Sequence, residues 1–229
     1  MRPVRLHQVA RLSAILFAAS CARAGGGATR ASAPEPEMSA GDMAAIARAR
    51  ADSARYPYTA ADVRFMSHMI GHHAQAIVMA GWAPTHGASP SVRTLAERII
   101  NAQQDEITTM QQWLRDRRQP VPEARPGAMK MTMGGMEHEM LMPGMLTETQ
   151  MKELDAASGT EFDRKFLTYM IQHHRGAVAM VKELFGTPGA AQDETVFKFA
   201  SDVNVDQTTE IARMERMLAA LNILERKSP

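Results

Sequence analysis

The chain has 229 residues, 45% of them apolar and 22% charged, with 26 Lys and Arg against 25 Asp and Glu. That length suits one sizeable domain or two small ones. The near-even charge shows no basic patch and argues against a nucleic-acid partner. The single cysteine, Cys21, means that no disulfide network holds the core.

Residues 1–21, MRPVRLHQVARLSAILFAASC, have a basic start at Arg2, Arg5 and Arg11 and then a short apolar run. The run is too brief to span a bilayer and reads as an export signal. The small residues before Cys21 suit a lipoprotein signal, with Cys21 as the lipidated residue. Cleavage near the CARA stretch by the ordinary peptidase is the other reading. Export places the mature chain in the periplasm or cell envelope, held to the membrane if Cys21 is acylated. Residues 22–57 are rich in Ala, Gly, Pro and Glu and read as a flexible tether.

Order is expected over residues 58–226. Repeat one (58–118) opens with Thr59 and Asp62, a capping-box pair, before a helix that stops at Gly81 and Pro84. A second helix begins at Ser89, with Pro90 in its first turn, and runs to about Arg117. The crossover (119–146) is too rich in Pro, Gly and Met to form a regular element. Repeat two (147–226) opens with a short helix capped by Thr147 and Gln150. A third long helix follows, with Thr160 and Asp163 as the counterpart of the first capping pair, and it stops at Gly186 and Pro188. A fourth helix runs through residues 199–224. Sustained strand alternation is lacking. The expected fold is all-α, a four-helix bundle built from a duplicated helix hairpin with a long Met-rich crossover.

The duplication carries the chemistry. FMSHMIGHHAQAIVMA, from Phe65, returns 101 positions later as FLTYMIQHHRGAVAMV. His72 and His73 are adjacent, so they point about 100° apart. One can face the bundle centre and the other a seam with a neighbouring helix. Met69 lies one turn back from both. Met170, His173 and His174 repeat the triplet. His68 also lies one turn from His72, but Tyr169 replaces it in the copy, which weakens it as a ligand. On the second helix of each hairpin, Gln103, Glu106 and Met110 share a face, and Gln207, Glu210 and Met214 repeat them.

Paired histidines in a core can be structural. A buried imidazole without a partner costs about 1–3 kcal/mol, so Glu106 and Glu210 could simply satisfy them as polar layers that fix the register. Repetition, with a methionine beside each pair, points instead to metal ligands. Imidazole with thioether selects soft ions, Cu(I) above all, although another transition metal remains open. The crossover pushes the same way. Residues 129–145 hold seven of the 19 methionines, and Met129, Met131, Met133, Met136 and Met140 surround His138. Such a stretch suits capture of a thiophilic ion.

These motifs, with the FDRKFL element at Phe162, resemble the domain of unknown function 305 family over residues 58–224. The resemblance implies a ferritin-like, exported four-helix bundle, with copper binding and copper tolerance in some members. It carries the family motif onto Met69, His72, His73, Met170, His173 and His174. The expected function is Cu(I) sequestration or transfer outside the cytoplasm, without turnover. Two alternatives stand beside it. One is a ferritin-like metal oxidase with a His/Glu site, although the chain has no Glu-x-x-His sequence. The other is a structural bundle with buried histidine layers. Nucleophilic catalysis has no support, since no serine sits in a recognisable elbow.

Overall fold

The computed structural model describes residues 57–127, 129–133 and 136–226, with a few positions between 39 and 47. The expected leader, Cys21 and most of the tether lie outside the described residues. Four long helices and one short one form the bundle: α1 (Ala60–Gly81), α2 (Pro90–Asp116), α3 (Glu148–Asp155), α4 (Gly159–Gly186) and α5 (Glu194–Arg226).

Local signals set most of the helix starts. Thr59 and Asp62 form the expected capping box: Asp62 Oδ2 accepts from Thr59 N at 2.6 Å, and Thr59 Oγ1 accepts from Asp62 N. Ser89 caps α2 with Pro90 behind it, and Thr147 with Gln150 caps α3. The Thr160–Asp163 expectation is corrected. Helix α4 starts earlier, at Gly159, after Ser158, which makes no side-chain cap.

Asp163 is buried and accepts from the backbone N–H of Ser89, at the start of α2. Its counterpart Asp62, also buried, reaches the other way and accepts from Ala191 N at 2.7 Å. Each central helix therefore holds the inter-helix loop of the opposite repeat. This exchange sets the start of α1 beside the end of α4, and the start of α4 beside the end of α1, so the two run antiparallel. A carboxylate that accepts backbone N–H groups in a buried place is among the stronger polar contacts a fold can use.

The core is divided. One apolar cluster joins Phe65, Met69 and Ile70 of α1 to Ile107, Trp113 and Leu114 of α2, Leu184 of α4 and Phe199 of α5. The other joins Met79 and Ala80 to Leu95, Ile99, Phe162, Phe166 and Met214. Between them lies the middle of all four helices.

The crossover contains a regular element after all. Met129–Met133 (β1) and Met136–Met140 (β2) pair as an antiparallel ribbon, so the expectation of an irregular stretch without strands is corrected for this segment. The register pairs Met129 with Met140, Met131 with His138, and Met133 with Met136. Alternation along each strand then puts those six residues on one face of the ribbon and Lys130, Thr132, Glu137 and Glu139 on the other.

Beyond the ribbon the chain becomes a strap packed on the bundle. Gln75 grips it twice, donating to the Leu146 carbonyl at 3.0 Å and accepting from Leu146 N at 2.7 Å. On α4, Gly176 has no room for a side chain: a Cβ there would stand 1.9 Å from the Pro143 carbonyl oxygen. Gly176→Ala should therefore destabilise the protein by about 1–3 kcal/mol through forced backbone displacement. Urea unfolding would read this as a lower midpoint with an unchanged slope, and an unchanged midpoint would contradict the packing.

Candidate metal centre

The middle of the bundle holds a belt of polar side chains between the two apolar clusters. His72, His73, His173 and His174 are fully buried, and Gln103 and Gln207 nearly so. Helix phase sends the two members of each pair to different neighbours. His72 and His173 meet across the α1–α4 contact, with ring centroids 3.9 Å apart and planes inclined at 39°. His73 and His174 turn to the second helix of their own hairpins. His174 Nε2 donates to Glu210 Oε2 at 2.7 Å. His73 Nε2 comes within 2.8 Å of Glu106 Oε2, but the pair is misaligned and makes no hydrogen bond.

The sequence positions that were expected to act together are thus partly gathered. The four histidines with Glu106 and Glu210 form the belt, and Met69 and Met170 are buried on the same helices one turn earlier. Met129, Met131, Met133, Met136, His138 and Met140 belong to the ribbon instead. Sequence reasoning missed Pro143, whose carbonyl accepts from His72 Nε2 at 2.9 Å. Nothing local marks it, because 71 positions separate the two residues.

Those partners fix tautomers. A carbonyl oxygen only accepts, so His72 carries its proton on Nε2 and leaves Nδ1 as a bare lone pair. The same holds for His174 if Glu210 is ionised. Among the described residues, all four Nδ1 atoms are buried without a hydrogen bond, and neither nitrogen of His173 has hydrogen-bond geometry, although the His72 backbone lies beside its ring. The carboxamides of Gln103 and Gln207 are also incompletely bonded. So many unpartnered polar atoms in one layer is unusual for a protein interior.

Burial, then the neighbouring His73, pushes the His72 imidazole down to about 3. Burial, then His72, holds His173 well below its ordinary value. Both rings are therefore neutral near pH 7, the form that offers a lone pair. Among the described residues, no three His, Cys, Asp or Glu side chains converge on one point. What the belt offers is opposed imidazoles, with thioethers and carboxamides nearby, rather than a carboxylate cage. Other carboxylates collect outside it, where Asp105, Asp202 and Asp206 line a groove between α2 and α5 that Glu106 borders at its belt side. Burial, then Glu106, raises Asp206 above its usual carboxylate range.

The lowered histidines make stability depend on pH. The unfolded chain binds protons at these rings below about pH 6.5, and the folded chain does not. Stability from this source is therefore full above that pH and lost as pH falls toward 3, with a slope approaching about 1.4 kcal/mol per pH unit for each histidine. Urea midpoints from pH 7.5 to 4 would show the fall, and His173→Leu should flatten it. A wild-type slope equal to that of the variant would contradict the burial of a neutral ring.

The family described as "Domain of unknown function (DUF305)" matches residues 62–218. A candidate secreted DUF305 protein from Streptomyces coelicolor is 31% identical, with a TM-score of 0.59 over 71% of this chain and 94% of that one. A DUF305 fragment from Deinococcus radiodurans is 30% identical, with a TM-score of 0.58 over 72% of this chain and 99% of the fragment. CopM in its Cu(I)-bound form is 28% identical, with a TM-score of 0.52 over 69% of this chain and 96% of CopM. CopM has also been solved with Cu(II), with Ag and in the apo form. No curated protein matches the chain. The chain belongs to the DUF305 family.

Proposed function

We propose that the protein binds copper outside the cytoplasm and sequesters or transfers Cu(I) in copper tolerance. The observation that carries this reading is the set of four buried Nδ1 atoms without hydrogen-bond partners among the described residues. In metal sites, a ligating imidazole gives its other N–H to a carbonyl or carboxylate, which orients the ring. His72 on Pro143 and His174 on Glu210 have that arrangement.

His72, His73, His173 and His174 would hold the ion, with Met69 and Met170 as thioether donors, Glu210 orienting His174 and Glu106 placing its charge beside His73. Neutral imidazoles and thioethers suit a soft monovalent ion, which tolerates few ligands, better than they suit a hard divalent one. The similarity to CopM, solved with Cu(I), Cu(II) and Ag, supports the choice of metal. On the ribbon, Met129, Met131, Met133, Met136, His138 and Met140 would capture the ion or hand it on. A leader ending at Cys21 would export the chain and tether it through a lipid. Among the described residues no helix is long and apolar enough to cross a membrane.

The His174–Glu210 bond also fits a purely structural polar layer, and stability separates the two readings. A structural role predicts a clear loss on His173→Leu. The ligand role predicts no loss in the apo protein, since among the described residues neither nitrogen of His173 has hydrogen-bond geometry and its replacement removes an unmet need. Thermal melting without metal decides between them.

The direct test is an anaerobic Cu(I) titration against a chromophoric chelator. Replacing all four histidines by alanine should weaken binding at least tenfold, or about 1.4 kcal/mol. A second variant should carry leucine at the five ribbon methionines, because deletion of the crossover would also remove the strap that His72 and Gln75 hold. Failure of the wild-type protein to compete for Cu(I) would end the copper reading.

A further inference from the structure

The two halves differ one turn before the paired histidines. In α4, Tyr169 donates its hydroxyl to Glu153 of α3. At the same position in α1, His68 is half-buried and makes no hydrogen bond among the described residues. It lines a cavity of about 90 Å³, walled by Arg64 and Phe65 of α1, Met180 and Glu183 of α4, and Met142 and Pro143 of the strap, with the Arg64 and Glu183 charges both felt at the His68 ring. That volume exceeds what one water or one metal ion needs. Met142 and Met180 are nearly fully buried, while His68 is partly open to solvent.

Two thioethers, an imidazole and a carboxylate around so small a space form a donor set for a soft ion. Methionine alone would be unremarkable here, since it fills irregular gaps in many cores. The partly exposed His68, which makes no hydrogen bond among the described residues, and Glu183, whose charge offsets that of Arg64 beside it, are not needed for packing.

Position adds to this. Pro143 both walls the cavity and accepts the His72 hydrogen bond, so the cavity adjoins the belt. On the other side, the ribbon ends at Met140, two residues before Met142, a chain span of at most about 7 Å.

We propose that this cavity is a second soft-metal site, a port where Cu(I) or Ag(I) passes between the methionine face of the ribbon and the histidine belt. His68, Met142 and Met180 are its ligands, and Glu183 supplies negative charge beside the ion. Passage is ligand exchange, so no electron moves. The direction of traffic rests on the copper function proposed above, whereas binding in the cavity does not.

The test is an NMR titration of the full chain with Ag(I), using 13C-methyl methionine and 15N histidine. Met142→Leu and Met180→Leu, which conserve volume, assign the two methyl signals. The Met142 and Met180 methyls and the His68 ring should shift together. His68→Tyr, which installs the residue of the other half, should abolish those methyl shifts and leave the ribbon methyls responsive. Stationary Met142 and Met180 methyls while belt or ribbon signals move would overturn the port and leave the copper reading standing. Shifts that survive His68→Tyr would also overturn it. If no methyl and no imidazole anywhere responds, the soft-metal reading falls with it.

Discussion

The contact between His72 and His173 is the constraint around which the bundle is organised. Two neutral imidazoles at 3.9 Å, fully buried, add little cohesion, and their unmet nitrogens oppose folding. The structure answers with an apolar cluster on each side of the belt, and with the buried Asp62 and Asp163 contacts that lock the repeats together. Those long-range carboxylates hold the antiparallel register of α1 and α4. A slip of one turn between these helices would part the two rings by about 5 Å, so the ends of the helices determine what meets in the middle.

The strap shows how a duplication can be broken for a purpose. Gly71 and Gln172 occupy equivalent positions in the two repeats, as do Gln75 and Gly176. Each glycine lies where the strap comes close, and each glutamine bonds it: Gln75 to Leu146, Gln172 to the Gly144 carbonyl. A strictly symmetric bundle would have no carbonyl to offer one histidine and not its twin. Pro143 gives His72 a strap carbonyl that His173 lacks among the described residues. The two faces of the stack are therefore chemically different, although the sequence motif around each is the same.

Most of the helical fold was legible because its signals are local. Apolar periodicity, the Thr59 and Thr147 capping boxes and Ser89–Pro90 act within one turn, and the repeat exposed the histidine pairs and their Glu106 and Glu210 partners. The failures came from longer range or from an overlooked pattern. Asp163 looks like a local cap, but burial and an opposing backbone N–H gave it a partner 74 positions away. The ribbon did have a signal, Gly134–Gly135 between two five-residue alternating runs, the composition of a two-residue hairpin. Methionine's weak strand preference hid it. Helix phase showed that adjacent histidines diverge, yet which one meets the other repeat depends on inter-helix packing that no single helix encodes.

Tautomer chemistry separates a ligand from a merely tolerated histidine more sharply than burial does. A histidine that only orders a core is best served when both nitrogens are bonded, one donating and one accepting. The belt departs from that in a regular way. Where a nitrogen is bonded, as in His72 and His174, it is Nε2, and Nδ1 is the atom left bare in all four rings. The Nε2 atoms of His73 and His173 are unmet as well, so the regularity lies in Nδ1 alone. A ligating imidazole uses whichever ring nitrogen is left free, and a ring held from behind at Nε2 presents Nδ1. Under the proposed copper function, the cost of these unmet atoms and the affinity of the belt for an ion would have one physical source.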